Sequence, residues 1–116
     1  MVVKELLDIY DDWQSKLEKN EWYFSDAFDH ITKNMTSYEA FSYIPNVVNA
    51  LLELRDETLI WETLDLLGEL YTISDTTEVH PVLNAKWSLL ENHIRHYKEA
   101  YATPFQELKR MLRKKS

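Results

Sequence analysis

The side chains with chemical potential in this chain fall into a histidine group, scattered hydroxyls and a large set of carboxylates. His93 and His96 stand three apart with Glu99 three further on. One helix through them would place two imidazoles and a carboxylate on one face, a donor set that zinc accepts. Three features argue against that use. The His-Glu-x-x-His spacing is absent, no second carboxylate cluster can be placed beside the group, and Arg95 and Lys98 add positive charge. His30 and His80 have no acid or nucleophile at a meaningful spacing. Serine and threonine fall mostly where caps and turns need them. Carboxylate pairs are frequent, but an acid-rich chain generates them by chance, so none is assigned to acid–base work. With one glycine and three prolines there is little material for a Gly-rich phosphate loop. The expectation is a protein without catalytic residues, metal or cofactor.

The acids matter more for where they sit. Net charge is −7 over 116 residues. Residues 1–80 carry five Lys and Arg against seventeen Asp and Glu, a balance of −12, whereas residues 81–116 carry eight against three, a balance of +5. Asp8, Asp11 and Asp12 cluster on the first helix expected from the pattern, and Glu62, Asp65 and Glu69 share one face of a later one. Like charges three and four apart cost a helix a few tenths of a kcal/mol per pair. These acids are therefore candidates for a surface that meets a basic protein, with attraction that weakens as salt rises. A solvated face, with the basic end (Lys109, Arg110, Arg113, Lys114, Lys115) complementing its own helix dipole, accounts for the same charges. Nucleic acid is excluded as a partner because a −12 body repels phosphates and the basic end lacks interleaved aromatics. Mimicry of nucleic acid, opposite the cationic cleft of a nuclease, suits the acids better. Trp22, Tyr23, Phe24 and Phe28 are too many rings for one buried stripe, so Trp22, Tyr23 and Tyr38 are candidates for exposure. Tyr23 and Trp61 are the candidate anchors of an interface.

These residues need helices to position them. A chain of 116 residues makes one domain, here 1–116, with a core large enough to do without staples. The absence of cysteine fits a reducing, cytoplasmic setting. No apolar run approaches the ~20 residues of a membrane span, and the first residues are amphipathic rather than signal-like. The expected first helix is 2–17, with Leu6, Ile9, Tyr10, Trp13 and Leu17 inward, and the second is 21–33. Thr36 and Glu39 have capping-box spacing and open a short helix to Tyr43, which Pro45 ends by forcing Ile44 out of helical conformation. Pro45 then starts a helix that closes at Leu54. Asp56 caps the next, which carries Leu59, Ile60, Leu64, Leu67, Leu70 and Tyr71 as one stripe. After a polar break at 73–77, a helix of about 30 Å is expected over 81–101. Thr103 and Pro104 are then the cap and first residue of a last helix ending near Arg113.

The run Leu51-Leu52-Glu53-Leu54 with Asp56, followed by Leu66-Leu67-Gly68-Glu69-Leu70, resembles a HEAT or HEAT-like repeat. It covers residues 45–71, and departs from the repeat where Leu59-Ile60 and Thr63 stand in place of the usual Val-Arg and Ala. The resemblance implies an all-α fold of six or seven helices stacked as antiparallel hairpins, a HEAT-like solenoid fragment. It also implies that Gly68 sits where a neighbouring helix approaches closely. In size, acidity and helical build the chain is similar to the immunity proteins of bacterial polymorphic toxin systems. That similarity implies a non-catalytic protein-binding module that neutralises a cognate toxin through its acidic surface. The alternative is a structural or scaffolding helical module, or a homodimer joined through exposed aromatics.

Overall fold

A computed structural model describes residues 2–113, and every regular element among them is a helix. In order these are α1 (Lys4–Tyr10), α2 (Trp13–Lys19), α3 (Tyr23–Thr32), α4 (Ser37–Glu53), α5 (Glu57–Ser74), α6 (Pro81–Ile94) and α7 (Lys98–Ala100). A π-helical segment, Tyr101–Phe105, then leads into α8 (Gln106–Met111). The fold is therefore all-α.

Local chemistry sets the starts of the three longest helices among the described residues, α4, α5 and α6. Thr36 accepts the Glu39 N–H at 3.1 Å, and the Glu39 carboxylate accepts the Thr36 N–H at 2.9 Å, so the expected capping box opens α4. Asp56 caps α5 by accepting the Leu59 N–H at 3.1 Å. His80 does the same for α6, its Nδ1 accepting from the Val82 N–H at 3.0 Å, with Pro81 in the first turn. Glu57 works across helices, its carboxylate accepting the N–H groups of Glu99 (2.7 Å) and Ala100 (3.2 Å) at the start of α7.

Four boundaries differ from the sequence expectation, each through packing or backbone geometry. Pro45 does not end a helix; it lies inside α4. A proline within a helix costs about 3 kcal/mol. That cost is offset because Ala40, Ile44, Val47, Val48, Ala50 and Leu51 form one buried face running through it. The expected 2–17 helix is broken at Asp11-Asp12, where Asp12 takes a left-handed conformation (φ 51°). Aspartate tolerates that conformation better than most residues. The expected 81–101 helix stops at Ile94, because Tyr97 (φ −117°, ψ 86°) leaves helical geometry. Thr103 and Pro104 do not begin a helix. Pro104 is accommodated inside the π segment and is buried there.

α4 and α5 form the central and most extensive helix pair. Val47, Val48 and Leu51 on the first and Ile60, Leu67 and Leu70 on the second are wholly buried. α6 lies on α4, α7 and the π segment lie on α5, and α3 lies on α5 from another side. α1 is tied to both central helices. The Tyr10 hydroxyl meets Thr63 Oγ1 at 2.7 Å, and the Tyr43 hydroxyl donates to the Glu5 carboxylate. Burial pushes the Tyr10 phenol up to about 12, only partly countered by Thr63. The radius of gyration is 13.5 Å, close to the ~13 Å of a compact chain of this length.

The C-terminal hairpin is pinned by charge as well as rings. Trp87 stacks on Phe105 with centroids 5.1 Å apart. Beside them Glu91 Oε2 accepts from the Tyr101 hydroxyl at 3.0 Å and from Lys109 Nζ at 3.3 Å, with Arg95 at 3.5 Å. Lys109 is therefore not part of an exposed basic end but an interior residue, while Lys114 and Lys115 lie outside the described residues.

α5 ends on Asp75 in the left-handed conformation (φ 57°), where glycine is the usual residue and where a negative charge opposes the helix dipole. Asp75→Gly is expected to stabilise the domain by about 1 kcal/mol, measured as a rise in the denaturation midpoint. A fall would mean that the Asp75 side chain contributes something beyond backbone geometry.

Candidate functional site

The outward stripe of α5 is built by helical spacing: Trp61, Asp65, Gly68 and Thr72 recur at three- and four-residue steps, and Glu62, Asp65 and Glu69 form a second such row beside them. Depressions open on either side of it. Between α3 and α5 a groove of about 290 Å³ is lined by Ser25, Phe28, Asp29 and Thr32 facing Glu62, Asp65, Leu66 and Glu69. Its floor is apolar, since Phe28 and Leu66 are buried, and its rim carries four carboxylates. Between α5 and α8 a smaller cleft of about 200 Å³ crosses Gly68, with Pro104, Glu107, Leu108 and Met111 as the far wall. Near the start of α5 a third hollow gathers Glu57, Thr58, Trp61, Glu62 and Glu99.

Among the described residues no ion pair neutralises the charges on this face. Ion pairs among the described residues are Lys4–Asp8, Arg95–Glu91 and Lys109–Glu91, and none reaches it. Burial raises the Glu62 carboxyl above its ordinary range, and the neighbouring Asp65 adds to the rise. Burial likewise raises Asp65, with Glu107 across the cleft adding to it. Acids held beside other acids resist ionisation, and an external cation would relieve them. Chemically, the arrangement is suited to receiving positively charged groups.

The sequence-derived candidates divide into two sets. Glu62, Asp65 and Glu69 do come together, and Asp29 from α3 and Glu107 from α8 join them. Trp61 lies at the adjoining hollow, half-buried and next to Glu62 in the wall. Asp8, Asp11 and Asp12 are exposed at the α1–α2 corner and line none of these depressions. They do not share one helical face, because the helix breaks between them, and Asp8 is paired with Lys4 at 2.8 Å. Tyr23 is not a free anchor. Its hydroxyl donates to the Ile9 carbonyl at 2.8 Å and its ring packs near Phe24 and Lys16, so it fastens α3 to α1. The rings left outside are Trp22, 64% exposed, and Tyr38, 80% exposed.

Gly68 departs most from expectation. No helix approaches it: a Cβ built there meets nothing within 4 Å. His93 has a structural use. His93 Nε2 hydrogen-bonds the Leu54 carbonyl at 2.8 Å, and its Nδ1 lies 3.2 Å from Arg55 Nη1. Because α6 ends at Ile94, His96 and Glu99 are not on one helix with His93. Among the described residues no three His, Asp or Glu are arranged to hold a metal ion. No helix among them is long and apolar enough to cross a membrane.

Asp29 and Glu107 could not be found from sequence, since each sits on a separate helix, 33 and 42 positions from Glu62 and Asp65 respectively. The only local signal was the i, i+3, i+7 spacing of the acids on α5. Comparison of the chain with protein-family models, with curated proteins and with solved structures returns no match.

Proposed function

We propose that this chain is a non-catalytic binding module that takes a basic protein partner on the acidic face of α5, and that the partner is a bacterial toxin neutralised in the cytoplasm of the cell that makes it. The observation that carries the reading is the groove of Asp29, Glu62, Asp65 and Glu69 over an apolar floor, with none of the four in an ion pair among the described residues. Charge of one sign above buried apolar side chains provides steering and an area to desolvate, the two components of a tight inhibitor interface. The helix pairing supports the HEAT-like part of the reading. α1 and α3 on the N-terminal side of the chain, and α6, α7 and the π segment on the C-terminal side, each touch the central α4–α5 pair. Stacked helix pairs of this kind present extended faces to partners.

The test is capture from the source cell at low and at high salt, followed by co-expression with the captured protein. Recovery of one basic protein that is released as salt rises, and whose toxicity is suppressed by this chain, is the expected result. Self-association that is indifferent to salt would instead establish a scaffolding module or homodimer, since apolar contacts are barely screened.

A further inference from the structure

The cleft between α5 and α8 has a feature that the fold does not require. Glycine weakens a helix relative to any ordinary residue, and it earns its place where φ is positive or a neighbour crowds the backbone. Gly68 meets neither condition. Its backbone is helical, no glycine has positive φ, and a side chain there would find open space. What Gly68 does is lower the α5 ridge at one point, opening the cleft toward Pro104 and Leu108. At about 200 Å³ the space is below the ~300–1,000 Å³ of small-molecule pockets, and it suits one long side chain. Its floor is apolar and its rim holds Asp65, Glu69 and Glu107, with no described cation paired to them.

The geometry points to an arginine side chain of a basic protein partner as the occupant, its stem lying across Gly68 onto Leu108 and its guanidinium between the carboxylates of Asp65, Glu69 and Glu107. This rests on the acidic-face reading above and specifies it. Arginine is favoured over lysine because its planar fork can serve carboxylates on two helices at once. Its weakly hydrated head also tolerates an apolar floor, whereas an ammonium retains its water.

Gly68 is the single glycine of the chain, so glycine-selective ¹⁵N labelling yields one amide signal, located at the notch. Titration at low salt with capped tri-arginine is expected to move that signal saturably, and capped tri-lysine to move it far less. Gly68→Leu keeps every charge and fills the notch, and should weaken tri-arginine binding at least tenfold. Gly68→Ala, which should raise the melting temperature of the free protein, provides a folded variant with a smaller obstruction and a smaller loss. An unmoved Gly68 signal, equal binding by Gly68→Leu, or equal response to tri-lysine would overturn the assignment. If tri-arginine still shifts the α3–α5 groove in uniformly labelled protein, only the notch is lost. If it shifts nothing on α3, α5 or α8, the acidic-face reading fails with it.

Discussion

Glu91→Ala is expected to destabilise the domain by about 3–5 kcal/mol, because it removes a carboxylate that is paired with a buried ammonium. Lys109 is 9% exposed at its side chain and Glu91 11%, so neither charge has ready access to water. Burial alone would push the Glu91 carboxyl up. The Tyr101 hydroxyl, the Lys109 ammonium and the Arg95 guanidinium outweigh it and hold the group below its ordinary value. A loss of that size lowers the melting temperature by about 10–20 °C in a domain of this length. The paired change Glu91→Leu with Lys109→Met should restore most of the loss, since it removes both charges and keeps the volume. The pH dependence has a definite sign. A carboxyl with a depressed folded pKa contributes stability above its unfolded value of 4.5, and that contribution is lost as pH falls through the folded value. Denaturant unfolding at pH 7 and in acid should therefore show the gap between wild type and Glu91→Ala narrowing at low pH. A gap that is the same at both would mean that lost packing, not charge, sets the effect.

The combined variant Glu62→Gln, Asp65→Asn, Glu69→Gln should move stability and binding in opposite directions. Folded Glu62 and Asp65 have raised pKa values, through burial first and neighbouring acids second, so their ionisation opposes folding. Their contribution to stability is greatest below the unfolded values of 4.5 and 3.8 and is lost as pH rises through the folded ones. Neutral amides should accordingly make the free domain more stable at pH 7 and leave it little changed in acid. Affinity for the proposed basic partner should fall at least a hundredfold, about 2.7 kcal/mol, since close interfacial charge pairs couple by about 1.5–7 kcal/mol each. Calorimetry of binding and thermal unfolding of the same variant read the two effects. Undiminished affinity would remove the α5 face from the interface, and a less stable free domain would mean that the carboxylates are compensated after all.

Legibility from sequence followed the range of the interactions. Caps at Thr36, Glu39 and Asp56 were readable because donor and acceptor lie three residues apart. The Leu59–Tyr71 stripe was readable because burial follows helical period. Pro45 was misread because its local penalty is outweighed by a buried face that only tertiary packing supplies. The break at Asp12 and the π segment around Pro104 are backbone choices with no periodic signature. The site behaved likewise. Glu62, Asp65 and Glu69 announced themselves by spacing, whereas Asp29 and Glu107 arrive through the packing of α3 and α8 against α5. Tyr23 looked available because nothing in its neighbourhood of the chain revealed that the Ile9 carbonyl would bind its hydroxyl.

The π segment Tyr101–Phe105 bears on how this fold tolerates insertion and deletion. One residue more or less in a helix turns everything beyond it by about 100°. Such a slip would swing Lys109 out of the interior and Glu107 off the Gly68 cleft together, since both lie downstream on α8. Length at this point is thus constrained at once by the core and by the cleft beside Gly68. A descendant that lost the extra residue would have to relocate a lysine and a glutamate in the same step, which makes the irregular turn harder to erase than its geometry alone would suggest.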